Sequence, residues 1–288
     1  MNTHHRARAL ARLRTYSRVV MATLSVAALT AIFASAASAH PAHTRGHKGE
    51  VKPAIVLVHG AWADSGSWDR VVRRLQDRGF TVYAPPNPLM GLSNDTATIA
   101  NFLSSIKGPI VLVGHSYGGE VITNAAVGNR QVKALVYDDA YLPAKGDNLQ
   151  SLTTAGSCFH VADVTKLFNF VPIPGFPPTD PDAYVKQSVF PGCFANGLPA
   201  REGAALAATQ RPLAVGALTD PSGPPAWATI PSWAVVGTAD HVIPPKQQLF
   251  MAKRAHAHIT KVDAPHLSMI SDPGVVARVI ERAARATG

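Results

Sequence analysis

The sequence lacks the features that mark several large classes of protein. It contains no internal repeat, and after residue 50 no run of basic residues is interleaved with aromatic residues. Nucleic-acid binding is therefore not expected. Three histidines lie close together at His40, His43 and His47, but no cysteine or carboxylate stands at a useful spacing from them. This cluster does not predict a metal site, and we expect none elsewhere.

The first 39 residues predict a secretory signal peptide. Residues 1–18 carry five arginines and no acidic residue, an apolar stretch runs from Val19 to about Ala34, and small residues end at Ala39. We expect cleavage after Ala39 by the general secretory route, because no twin-arginine pair precedes the apolar stretch. The alternative is an uncleaved membrane anchor, since the apolar stretch approaches the length of a membrane span.

Removal of this segment changes the charge of the chain. The formal charge of +9 includes its five arginines, and without them 22 basic residues stand against 18 acidic ones. A polar leader at residues 40–52 would then precede the folded part, in a mature chain of about 249 residues that suits one large α/β domain. We predict a secreted protein without stable membrane association after cleavage.

Short apolar runs alternate with amphipathic segments from Ala54 onward. The runs that predict strands are Ala54–Val58, Thr81–Ala84, Ile110–Val113, Val132–Tyr137, Trp233–Val236 and Ile259–Val262. The segments that predict helices are Ser67–Arg78, Asn94–Ser105, Tyr117–Asn129, Lys246–Ala255 and Pro273 to about Ala286. This alternation predicts an α/β fold, with a mostly parallel sheet and helices on both faces, over residues 53–286.

The alternation stops between about residues 141 and 229. Prolines are dense in this stretch and include those at positions 172, 174, 177, 178, 181, 191 and 199. Because proline removes a backbone hydrogen-bond donor, we expect no regular sheet here and predict a lid inserted over the end of the main sheet. Its apolar residues Phe168 and Phe170, together with Trp62 after the first strand, are the predicted substrate contacts.

Only two cysteines are present, Cys158 and Cys193, and both lie in this insertion. In an exported protein an even pair predicts a disulfide, which here would stabilise the fold by about 3–4 kcal/mol on the chain-entropy account. Two unpaired buried thiols are the alternative.

The most informative motif is Gly114-His115-Ser116-Tyr117-Gly118, between a buried strand and a helix. A G-x-S-x-G turn in this context is a nucleophile elbow, which projects the serine hydroxyl above the sheet and leaves no room for side chains beside it. We therefore predict Ser116 as the nucleophile. His115 lies in the elbow itself, and we expect its side chain to pack away from the nucleophile.

A serine nucleophile needs a base and an orienting carboxylate. Of the twelve histidines, His266 fits best as the base, because it follows the last strand and so lies at the same sheet edge as Ser116. His256 and His258 are expected at the opposite edge, exposed to solvent. Asp240 follows the penultimate strand and completes the chain order Ser, Asp, His, while Asp138 and Asp139 after the fourth strand are the alternatives.

An oxyanion needs two N–H donors. The Gly60-Ala61 turn after the first strand and the start of the helix after Ser116 predict the backbone amides of Ala61 and Tyr117 for this role.

The chain resembles the α/β-hydrolase superfamily over residues 53–286, and within it the small-esterase branch of plant methylesterases, hydroxynitrile lyases and bacterial pyrethroid-type carboxylesterases. Five motifs carry the resemblance: Val58-His59-Gly60-Ala61-Trp62, Gly114–Gly119, Tyr137–Pro143, Asp240-His241-Val242-Ile243-Pro244 and His266–Pro273. The resemblance implies the triad Ser116, His266 and Asp240, oxyanion amides at Ala61 and Tyr117, and no cofactor. In the hydroxynitrile lyases a lysine follows the histidine, whereas Leu267 stands here, which disfavours cyanohydrin cleavage.

The sequence thus predicts a secreted serine hydrolase of the carboxylesterase type, which acts on small to medium, apolar esters through an acyl-enzyme. Lactone, amide or carbon–carbon bond hydrolysis and cofactor-free perhydrolysis use the same triad and stay open, as does a non-catalytic ligand-binding member of the fold.

Overall fold

The computed structural model describes residues 52–287. The predicted signal peptide and the leader up to residue 51 lie outside the described residues.

Six parallel strands form the central sheet, in the spatial order β2-β1-β3-β4-β8-β9. Their bounds are β1 Ala54–Val58, β2 Val82–Tyr83, β3 Ile110–His115, β4 Val132–Asp138, β8 Ser232–Gly237 and β9 His258–Val262. The central strand β3 is buried along its whole length, as expected of an all-apolar strand covered on both faces.

Two groups of helices cover this sheet. Their bounds are α1 Asp69–Asp77, α2 Leu92–Ser104, α3 Tyr117–Ala125, α6 Pro245–Arg254, α7 Ser268–Ser271 and α8 Pro273–Thr287. Helices α1 and α8 contact each other, α2 and α3 contact each other, and both pairs contact the sheet at β3. The parallel sheet with helices packed against it confirms the predicted α/β architecture.

The insertion (residues 141–229) contains regular structure of its own, which corrects one prediction. Three short antiparallel strands form a second sheet in the order β5-β6-β7. The elements of the insertion are α4 Leu149–Leu152, β5 Phe168–Val171, β6 Asp182–Val185, α5 Ala200–Thr209 and β7 Leu213–Ala214, with short 3-10 turns between them. The prolines do not prevent this sheet because they lie in the connections between strands, where no ladder hydrogen bond is lost.

The two cysteines form a disulfide, as predicted. Cys158 and Cys193 are bonded across 35 positions of sequence, with their Cα atoms 5.8 Å apart. Within residues 52–287, no helix is both long enough and apolar enough to span a membrane.

The parallel order of the main sheet sets the position of the predicted site. Strands β3, β8 and β9 are followed by the segments that carry Ser116, Asp240 and His266. Since the carboxyl ends of parallel strands share one edge, three residues far apart in sequence arrive at the same place.

Candidate active site

Ser116 lies on a tight turn between β3 and α3. Its backbone has φ 52° and ψ −125°, a left-handed conformation that non-glycine residues rarely adopt. The turn is so compact that a Cβ atom on Gly114 would lie 2.5 Å from the carbonyl oxygen of Gly118, and one on Gly118 would collide with the carbonyl of Val58. The glycines are therefore required by backbone contact, and the serine hydroxyl is directed out of the turn.

A continuous hydrogen-bonded chain links Ser116 to His266 and Asp240. The Ser116 hydroxyl lies 3.0 Å from His266 Nε2, and His266 Nδ1 lies 2.8 Å from Asp240 Oδ2. The His266 side chain and the Asp240 side chain are fully buried, so this pairing is screened from water. The arrangement fixes one imidazole tautomer, with Nδ1 as donor and Nε2 free to accept the serine proton.

The Asp240 carboxylate accepts three further hydrogen bonds. The amides of Val242 and Ile243 donate to Oδ1 at 2.7 and 3.0 Å, and the side-chain Nε2 of Gln248 donates to Oδ2 at 2.7 Å. Sequence reasoning missed Gln248, which lies on α6 and reaches Asp240 only because that helix packs behind the loop. Four donors on one carboxylate hold it in one orientation.

The two alternative carboxylates, Asp138 and Asp139, have other hydrogen-bond partners. Asp139 accepts from the amides of Gly237 (2.6 Å) and Ser268 (3.3 Å), and Asp138 accepts from the Ser268 hydroxyl at 2.8 Å. Burial raises the pKa of Asp138 to about 7, and burial together with the neighbouring Asp138 also raises the pKa of Asp139. These two aspartates tie β4 to β8 and to the His266 segment, and neither contacts the imidazole of His266.

The two predicted oxyanion donors face the same space as the serine. Ala61, Tyr117 and Ser116 all line one cavity, and within residues 52–287 neither the Ala61 amide nor the Tyr117 amide donates to another backbone group. Gly60 allows the close approach, since a Cβ atom there would lie 2.7 Å from the Cβ of Ser116. Two free N–H groups beside a nucleophile are what a tetrahedral oxyanion requires.

His59 supports the first of these donors. Its Nε2 accepts from the amide of Asn87 at 2.9 Å, which leaves the proton on Nδ1, 2.9 Å from the carbonyl of Gly60. That carbonyl and the Ala61 N–H belong to one planar peptide unit, so the ring fixes the direction of the N–H. Burial lowers the pKa of His59 to about 4, which keeps the ring neutral in this role.

A cavity of about 440 Å³ opens above Ser116, between the main sheet and the insertion. All three predicted substrate contacts line it: Trp62 and Phe168 are buried, with ring centroids 5.4 Å apart, and Phe170 is 39% exposed. The indole N–H of Trp62 donates to the carbonyl of Ala183 in β6 at 2.8 Å. The lining also includes Phe159, which sequence reasoning did not single out because it lies in an irregular segment beside a cysteine.

The other histidines have different environments. His115 does more than the predicted packing, because its Nε2 donates to the carbonyl of His266 at 3.0 Å and so holds the backbone of the proposed base. His256 and His258 are exposed at the opposite end of the sheet, as predicted. Residues 52–287 contain no group of three or more His, Cys, Asp and Glu side chains arranged to hold a metal ion.

Comparison with known proteins agrees with this architecture. Residues 55–279 match the alpha/beta hydrolase family, and the chain belongs to that family. A carbendazim hydrolyzing esterase of Nocardioides sp. (strain SG-4G) is 34% identical over 113 residues, which cover 34% of this chain and 46% of the relative. A pyrethroid hydrolase of Sphingobium wenxiniae is 31% identical over 114 residues, which cover 35% of this chain and 41% of the relative. The match thus spans less than half the length of each curated relative.

Solved structures show the same fold at lower identity. A methylesterase from Arabidopsis is 18% identical and superposes with a TM-score of 0.66, over 81% of this chain and 99% of that one. This likeness confirms the predicted fold.

Proposed function

We propose that the chain is a serine hydrolase that cleaves carboxylic esters through an acyl-enzyme on Ser116. The observation that carries the proposal is the hydrogen-bonded chain from Ser116 through His266 to Asp240, placed beneath a cavity that two free backbone amides line. The family match and the two esterase relatives support hydrolysis as the chemistry.

In the first half-reaction, Ser116 Oγ attacks the ester carbonyl while His266 Nε2 accepts the hydroxyl proton. The amides of Ala61 and Tyr117 stabilise the oxyanion, and Asp240 stabilises the imidazolium that forms. His266 then gives the proton to the departing alkoxide, which leaves as an alcohol. In the second half-reaction His266 deprotonates water, which attacks the acyl carbonyl, and His266 then returns the proton to Ser116 Oγ as the acid leaves.

The cavity supports small to medium, apolar substrates. Aromatic and aliphatic side chains dominate its lining, and a volume of about 440 Å³ suits a ligand of drug-like size. The relatives are named for carbendazim and for pyrethroids, and we propose that this chain takes esters of comparably apolar character. The disulfide, together with the predicted signal peptide, supports the proposal that the enzyme acts outside the cytoplasm.

The direct test compares the exported protein with its Ser116→Ala variant on p-nitrophenyl esters of increasing acyl length. We expect turnover that rises from acetate to the medium-chain acyl groups, and a loss of about 10⁴- to 10⁶-fold in kcat in the variant. A Ser104→Ala variant is the matched control, because Ser104 is exposed on α2. Equal turnover by the wild type and Ser116→Ala would contradict the proposal.

A further inference from the structure

Two irregular segments of the insertion lie against the loop that carries Asp240. Residues 157–159 and 193–196 belong to no helix or strand, and the Cys158–Cys193 disulfide joins them. We call these two segments with their crosslink the disulfide brace, and residues 238–243 the acid loop. Both halves of the brace contact the acid loop directly.

Three hydrogen bonds run from the brace to the acid loop. The Ser157 hydroxyl donates to the carbonyl of Val242 at 2.6 Å, and the Cys158 amide donates to the carbonyl of His241 at 2.7 Å. From the other half, the Asn196 side-chain Nδ2 donates to the carbonyl of Ala239 at 2.9 Å. The brace therefore holds carbonyl groups on both sides of Asp240.

Two of these carbonyls belong to the peptide units that bind the Asp240 carboxylate. The His241 carbonyl shares a planar peptide unit with the Val242 N–H, and the Val242 carbonyl shares one with the Ile243 N–H. Both N–H groups donate to Asp240 Oδ1. Because each peptide unit is rigid, a donor from the brace at its carbonyl end fixes the direction of the N–H at its other end.

The brace also touches the imidazole. The ring of Phe194, next to Cys193, lies edge-on to the ring of His266, with centroids 5.2 Å apart. A shift of this segment would move the Phe194 ring that contacts His266 as well as the acid loop.

We propose that the Cys158–Cys193 disulfide is a positioning device for Asp240, which acts through the peptide units of the acid loop. This inference rests on the proposed function, since it assigns the crosslink to the geometry of the triad. The crosslink restrains two irregular segments, of which one makes two hydrogen bonds to the acid loop and the other makes one. Its loss lets the acid loop move relative to His266, and a displacement of this kind lowers kcat.

The test is a double-mutant cycle between the disulfide and Asp240. We expect the Cys158→Ala/Cys193→Ala protein to fold and to lose about 10- to 100-fold in kcat, the cost of a displacement near 1 Å. When Asp240 is already replaced in Asp240→Asn, the same removal is expected to change kcat by less than about 2-fold, because the group that the brace positions is absent.

The control variant separates positioning from general stability. Ile280→Val removes one methylene from a fully buried residue of α8, and we expect it to lower the unfolding temperature without lowering kcat well below that temperature. With the disulfide intact, Asn196→Ala removes one bond to the acid loop, and Ser157→Ala removes the bond to Val242 together with the one that the Phe159 amide donates to Ser157. We expect a 3- to 10-fold loss of kcat in each, which tests the inference even if the double-cysteine variant does not fold.

The outcomes separate the two proposals. Wild-type turnover of p-nitrophenyl esters tests the proposed function, and the ratios between variants test the brace. Full kcat in Ser157→Ala and Asn196→Ala, or an equal loss on disulfide removal in both Asp240 backgrounds, would overturn the positioning role while the esterase proposal stands.

Discussion

The turn that carries Ser116 and the loop that carries Asp240 differ in what holds them in place. Around Ser116 the constraints are close backbone contacts, between Gly114 and Gly118 within the turn and between Gly118 and Val58 at the end of β1. The acid loop has a different internal constraint, the two hydrogen bonds that the amides of Val242 and Ile243 donate to Asp240. Its peptide units are held by side chains and amides from Ser157, Asn196 and α6, up to 85 positions away in sequence.

Because of this difference, we expect substitutions in the two parts of the proposed active site to have different effects on stability and kcat. We expect substitutions in the serine turn to lower stability first, because a side chain added to its glycines would collide with backbone atoms. Damage to the acid loop should appear first as lost kcat, because its supports set direction more than they set the fold.

The largest effect is expected at the acid itself. In Asp240→Asn the amide of the new side chain can donate to His266 and select the wrong tautomer, so we predict a kcat about 10⁴-fold lower in ester turnover. Asp139→Asn is the comparison variant, since Asp139 accepts from backbone amides and does not contact the imidazole. A collapse of kcat in Asp139→Asn with near-normal turnover in Asp240→Asn would reverse the assignment.

The next effect tests the serine turn. In Gly114→Ala the new methyl group would lie 2.5 Å from the carbonyl of Gly118, so we predict that the free energy of unfolding falls by about 3 kcal/mol in urea titrations. Gly192→Ala is the control, because the nearest atom to a Cβ there is 4.0 Å away, and we expect it to keep wild-type stability. Equal stability of the two variants would show that the turn is less constrained than its geometry indicates.

A smaller effect is expected at Gln248. Gln248→Met keeps the length of the side chain but removes one of the four donors to the Asp240 carboxylate and the bond to the Ile243 carbonyl, and we predict a loss of about 10-fold in kcat. Gln247→Met, at the neighbouring and less buried position of α6, should retain full kcat. Indistinguishable rates for the two variants would remove Gln248 from the support of the acid loop.

The serine turn could be predicted from the sequence, whereas the supports of the acid loop could not. The run from Ile110 and the turn at Ser116 are encoded by adjacent residues, and the structure places β3 at Ile110–His115 and begins α3 at Tyr117. Ser116, Asp240 and His266 each follow a predicted parallel strand, and this is enough to bring them to one sheet edge.

The other features of the structure depend on contacts between residues far apart in sequence, which local sequence patterns do not predict. The strands of the insertion were not predicted, because their flanking prolines dominate the composition while the strands themselves are short. Gln248 has the appearance of an ordinary polar residue in a first helical turn, and its role follows from the packing of α6 behind the acid loop. The hydrogen bonds of the brace could not be predicted from the sequence either, since they join irregular segments.

The smallest effect concerns the buried carboxylates behind the acid loop. Burial raises the pKa of Asp138 to about 7, so the folded protein binds its proton more tightly than the unfolded chain does. Its contribution to stability is therefore present at low pH and is lost as the pH rises through about 7. Between pH 6 and pH 7, the free energy of unfolding of Asp138→Asn should gain about 1 kcal/mol relative to wild type. A difference between the two proteins that does not change with pH would contradict this.

Covalent labelling tests whether His266 activates Ser116 as a nucleophile. A fluorophosphonate with an apolar chain is incubated with the wild type, Ser116→Ala and His266→Ala, and the adduct is located by peptide mass spectrometry. We predict one adduct per wild-type chain, on the peptide that contains Ser116, and none at that position in Ser116→Ala. In His266→Ala we predict labelling at least about 10³-fold slower. An adduct on another side chain, or equal labelling rates in the wild type and His266→Ala, would contradict it.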